Sequence, residues 1–141
     1  MEIDIPLPLK AEHEELHAEL ALLTKSTGRI GAVARNLATV LHPHFVKEVS
    51  FALPPLGLLP AVASGNITAE MAAVTAMTDN LRAELPMMLQ EHMRIAAAVR
   101  VLLDASQQTG DTAAQRFGEK LLAHARTEEL VMYPAAMVLG D

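Results

Sequence analysis

The chain contains no cysteine and no tryptophan, and its aromatic residues are limited to one tyrosine and three phenylalanines. Without thiols there is no disulfide framework, zinc-thiolate site, iron-sulfur cluster or cysteine nucleophile, so any bound metal must rest on His, Asp or Glu. Basic residues are outnumbered, 11 Lys and Arg against 17 Asp and Glu, and they form no cluster. A formal charge of -6 repels a phosphate backbone, which argues against nucleic acid as a partner. Long apolar runs are also missing: the longest, Phe51 to Ala63, is broken by Pro54, Pro55, Gly57 and Pro60 and is too short for a bilayer. Met1 to Leu9 is acidic and proline-broken, with no basic or apolar leader region, which predicts a cytoplasmic protein without a signal peptide or membrane span. No serine triad, phosphate-cradling glycine loop or nucleotide motif is present.

What the chain does have is a folding composition. Its 141 residues, 51% of them hydrophobic, suit one domain over 1–141 with a single core. Leu9, Leu16, Leu20 and Leu23 recur at helical spacing and predict a first helix, about Pro8 to Ser26. A second, Arg29 to Ala52, carries Ile30, Val33, Leu37, Leu41 and Phe45 on one side, should kink at Pro43 and ends at Pro54 and Pro55. The proline-rich stretch from Leu53 to Asn66 reads as a loop, its apolar part covering one end of the molecule or making a homodimer contact. Thr68 is placed to cap a connecting helix to about Glu84; Pro86 suits the start of a third long helix to Gln107, and a fourth runs from Thr112 to Tyr133, ending at Pro134. With no strand pattern, the fold class is all-α: an antiparallel four-helix bundle with an extra connecting helix between its two hairpins.

The two halves repeat each other. Glu12-His13 returns 79 residues later as Glu91-His92, while His44, Glu48 and Pro54 return 80 residues later as His124, Glu128 and Pro134. The repeat describes two copies of one helical hairpin related by a pseudo-twofold axis. Each copy has a lone His on its first helix and a His-x3-Glu pair on its second. Residues four apart share a helix face, so each pair can aim two donors at one point. An isolated pair of this kind is common by chance; the tandem repeat with the lone His in register carries the signal. Packed together, the hairpins converge four His and two Glu. Imidazoles bind one metal each, whereas a carboxylate can bridge two, so the set His13, His44, Glu48, His92, His124 and Glu128 points to a binuclear centre with positions left open. Two divalent ions would also cancel the cost of burying the two carboxylates.

This pattern, with Glu48 followed by Phe51 to Pro55 and Glu129 by Tyr133-Pro134, resembles the hemerythrin-like (HHE cation-binding) family over nearly the whole chain. The resemblance implies a bundle holding two non-haem iron ions, oxo- or hydroxo-bridged, and a small ligand such as O2 or NO. Unlike the oxygen carriers of the family, whose third helix has a His-x3-His pair, this chain has Ala96 four residues after His92. Its four-His, two-Glu set is instead similar to that of the family's iron-sulfur repair and iron-sensing members.

His17, four residues after His13, is a further candidate for a fifth histidine ligand. Glu129 is the alternative second carboxylate, but its counterpart in the first half is Val49, which favours Glu128. His42 should lie on the surface, Met93 should point away from the site, and Glu12, Glu14, Glu15 and Glu19 read as a solvated face. Tyr133, about 140° around an α-helix from Glu128, reads as a packing or interface residue. Three functions compete. The first is a di-iron protein binding oxygen, NO or peroxide for storage, delivery or sensing, a binding protein rather than an enzyme. The second is a stress enzyme consuming peroxide or nitric oxide or handling iron. The third is a structural or partner-binding bundle holding zinc or manganese.

Overall fold

The structure, a computed structural model, describes residues 5–65 and 71–139. Helix α1 spans Leu7–Thr24 and α2 Gly28–Lys47, which continues into a π-helical turn, Glu48–Ala52. A tight 3-10 turn, Pro54–Leu58, and a short α3, Leu59–Ala63, precede α4, Met71–Thr109; α5, Thr112–Thr127, passes through a second π turn, Glu128–Met132, into α6, Tyr133–Leu139. No strand occurs among the described residues. Helix α1 packs on α2 and α5, and α4 packs on the same two, so four rods close into the antiparallel bundle that the two hairpins predict. The hinge between α4 and α5 is short because Gly110 takes φ +72° and Asp111 caps α5, its Oδ1 accepting the Ala114 amide at 3.0 Å.

Three expectations need correction. The connecting helix and the third helix are one continuous rod, α4, of 39 residues with Pro86 inside it. Leu81 and Met88, on either side of that proline, are buried in the same core, and their burial holds the rod in line despite the missing hydrogen bond. The Thr68 cap lies outside the described residues. Pro134 does not end the fourth rod but occupies the first turn of α6, where a missing N–H costs little. Finally, the segment after Leu53 is wound rather than a loop: Leu53, Pro54, Pro55 and Leu56 are buried and cover one end of the bundle. Pro43 sits within α2 without ending it.

The apolar interior comes in two parts. One, built from residues such as Leu16, Leu37, Phe45, Val99, Leu102 and Leu121, fills the end nearest the α4–α5 hinge. The other, with Leu53, Leu56, Leu81, Met88, Tyr133 and Ala136, lies beneath the proline-rich cover. The polar residues of the repeat form a layer between the two.

Candidate metal centre

Each rod contributes to that layer: α1 supplies His13, α2 His44, α4 His92 and α5 His124, while Glu48 and Glu128 open the two π turns. All six are buried, Glu48 at 0% and Glu128 at 1% exposure. They fall into two groups of four, His13, His124, Glu48 and Glu128 in one, His44, His92, Glu48 and Glu128 in the other, with donor atoms within 4.8 Å of one another in each. The carboxylates are common to both because each sends one oxygen to each side. Glu48 Oε1 is 3.0 Å from His44 Nε2 and its Oε2 is 4.0 Å from His13 Nε2. Glu128 Oε1 is 3.4 Å from His92 Nε2, and its Oε2 is 3.3 Å from His124 Nε2 and 3.8 Å from His13 Nε2.

Outside this cage, three of the imidazoles are held by carboxylates. His44 Nδ1 lies 3.2 Å from Glu91, His92 Nδ1 2.7 Å from Glu129 and His124 Nδ1 2.6 Å from Glu12. Donation from Nδ1 leaves the Nε2 lone pair of a neutral imidazole facing inward, as a metal ligand requires. Glu91 is steadied in turn by Lys47, whose Nζ donates to it at 3.3 Å.

The cage is short of positive charge. Both oxygens of Glu48 and Oε2 of Glu128 are buried without a well-directed hydrogen bond, while His13 Nε2 and His124 Nε2 share one hydrogen bond with each other at 2.9 Å. Buried carboxylate oxygens without donors are costly, and inward-facing lone pairs do not relieve them. Divalent ions would satisfy both, so the donor set fits two metal ions that share the carboxylates.

Burial, the largest influence, lowers the pKa of His13 and of His92. His44 shifts the other way: burial opposes its charge, but the proximity of Glu48 and Glu91 outweighs burial and raises its pKa. Glu91 responds in kind, its burial outweighed by His44 and Lys47, which lower its pKa.

Tyr133 is buried in the core beneath the cover, as a packing residue should be, but its angle from Glu128 needs correction. Its hydroxyl lies 3.4 Å from His44 Nε2 and 3.3 Å from His92 Nε2, and it is 1% exposed. The reason is the π turn. The Tyr133 amide donates to the Glu128 carbonyl five residues back, and the Leu53 amide donates to Glu48 in the same way. Bonding from i to i+5 brings residues five apart onto nearly the same face, where an α-helix would separate them. Burial, then the charge of Glu48, push the phenol pKa well above its ordinary range, so without metal it stays protonated.

The other candidates fall as follows. His17 joins neither group; it is exposed, its ring edge against Phe45, and burial is the first of the influences that lower its pKa. Glu129 stands outside the cage, behind His92. His42 is exposed and Met93 is 73% exposed, as expected. Of the acidic face on α1, Glu14 is exposed, but Glu12 holds His124, and Glu15 and Glu19 accept from Lys120 at 2.7 and 2.8 Å. The supporting carboxylates Glu12 and Glu91 had a signal in the sequence, since the Glu before each lone His is itself repeated.

These features define an α-helical bundle with an internal cation-binding cage. A family model described as the hemerythrin HHE cation binding domain matches residues 8–136, and the chain belongs to that family. Neither a curated protein nor a solved structure matches it. No helix among the described residues is long and apolar enough to cross a membrane.

Proposed function

We propose that the chain is a non-haem di-iron protein that binds O2, NO or peroxide for storage, delivery or sensing. His13 and His124 would hold one ion, His44 and His92 the other, with Glu48 and Glu128 bridging. The observation that carries this reading is the sharing of both carboxylates, one oxygen to each histidine pair, in a buried layer. When bound, a ferrous pair supplies electrons and open positions for a small ligand. The chain supplies the rest. Glu12, Glu91 and Glu129 orient the imidazoles, and the two apolar cores exclude water on either side of the layer, which strengthens every charge interaction inside it.

Four neutral imidazoles donate less negative charge than a carboxylate-rich cage, so high oxidation states gain less stabilisation and binding or peroxide-level chemistry is favoured over attack on C–H bonds. A cavity of about 1100 Å³, lined by Lys10, His13, Glu14, His17 and apolar residues from the start of α1 and the proline-rich cover, gives a small ligand a route to the His13 side. That open route also favours the second reading, an enzyme consuming peroxide or nitric oxide. Metal analysis of anaerobically purified protein, with optical spectra before and after air, tests the first. Two irons per chain and bands that reverse when oxygen is removed support it. Irreversible oxidation with steady peroxide turnover, lost in Glu48→Ala, supports the second reading, and zinc or manganese in place of iron rejects both.

A further inference from the structure

We infer that Tyr133 is a fifth protein ligand, bound through its phenolate oxygen to the metal held by His44 and His92. The inference rests on the di-iron reading above. Donors bonded to one metal at about 2.1 Å stand about 3.0 Å apart at a right angle and about 3.4 Å apart at the tetrahedral angle. Tyr133 Oη is 3.4 Å from His44 Nε2 and 3.3 Å from His92 Nε2. In the same group, His44 Nε2 to Glu48 Oε1 is 3.0 Å and His92 Nε2 to Glu128 Oε1 is 3.4 Å. The tyrosine oxygen therefore keeps the spacing of the other donors. The same hydroxyl is also within hydrogen-bonding reach of Glu48, the carboxylate of that group.

The repeat makes the assignment one-sided. Leu53 takes the place of Tyr133 in the first half, 80 residues earlier, and its amide likewise donates to the carbonyl of the Glu five residues back. Leucine cannot ligate, so the His13/His124 metal keeps its open position, on the side that the cavity reaches. Ligation breaks the phenol O–H bond, forms an oxygen–metal bond and releases one proton to solvent, with no change in oxidation state.

The chain has one tyrosine, so a phenolate signal can come from nowhere else. The test is to load the full metal-free chain with ferrous iron, oxidise it in air, count the iron, and record visible absorption and resonance Raman spectra. The expected result is two irons with a visible phenolate-to-ferric band enhancing tyrosine ring modes, and a Tyr133→Phe variant that keeps its iron and loses both signals. Two irons without phenolate modes in the unaltered chain overturn the tyrosine ligand and leave the di-iron reading standing. The same band persisting in Tyr133→Phe also overturns the ligand, and a chain that takes up no iron overturns both.

Discussion

Glu12, on the first helical hairpin, holds His124, on the second: its Oε1 lies 2.6 Å from His124 Nδ1. The pseudo-twofold repeats the arrangement, with Glu91 on the second hairpin 3.2 Å from His44 Nδ1 on the first. Each hairpin therefore orients a donor of the other, and the site is assembled only when the two halves meet. Glu12→Gln should weaken metal binding by about 10- to 100-fold, the usual effect of losing a carboxylate behind a ligating imidazole. Competition against a chelator of known affinity measures it, and an unchanged affinity would remove Glu12 from the site.

The repeat also exposes a gap. His92 has Glu129 behind it at 2.7 Å, but the corresponding position behind His13 is Val49, 47% exposed. Val49→Glu should supply the missing carboxylate and tighten the weaker of two metal-binding steps by about 10-fold. Calorimetric titration with ferrous iron under argon reads both steps, and a weakening of either would show that the symmetry does not extend to this shell.

Replacing Glu128 by Gln should have opposite effects with and without metal. In the metal-free chain Glu128 Oε2 is buried without a hydrogen bond, so an amide, which has no charge to bury, should raise the melting temperature. In the loaded protein the same change removes a shared ligand and lowers it. Parallel melts with chelator and with iron decide the matter; a drop in both would mean that the metal-free cage already neutralises this carboxylate.

The metal-free chain should be most stable near pH 6.5. His13 and His92 have folded pKa values below the ordinary 6.5, so their contribution is present above that pH and is lost as pH falls toward the folded values. His44 is raised, so its contribution is full below 6.5 and is lost as pH rises through its folded pKa. Melts in chelator from about pH 5 to 8 should trace a maximum. A curve still rising at the alkaline end would contradict the His44 assignment.

Gly31 in α2 has no room for a side chain, since a Cβ there would stand 1.8 Å from the Ser26 carbonyl oxygen, a backbone atom. Gly31→Ala should cost about 1–3 kcal/mol, the range for overpacking. Urea unfolding measures it, and a change under about 0.5 kcal/mol, the ordinary surface effect, would mean that the α1–α2 turn can shift.

Much of the bundle was legible because spacing alone specifies it. The leucine stripe of α1, the Gly110-Asp111 hinge and the six residues of the cage follow from side chains three, four, 79 or 80 positions apart. What was hidden depends on competition between backbone rules and packing. Pro86 reads as a helix start, yet Leu81 and Met88 bury one face across it. Tyr133 was misplaced because angles were counted at α-helical pitch, while the chain between Glu128 and Tyr133 winds more loosely. A clue was present: Pro54 and Pro134 each follow a cage Glu by six residues and have no N–H to give, so the ladder is already interrupted there.

Each π turn amounts to a single surplus residue wound into an ordinary helix. Shortening the chain by one position inside 49–52 or 129–132 would let the backbone relax to regular pitch while leaving the flanking side chains close to where they are. Related chains lacking the extra residue should therefore show a one-position gap at these points, and that gap, more than any change of amino acid, would mark whether the hydroxyl beside the second histidine pair arrived by insertion or was there before it.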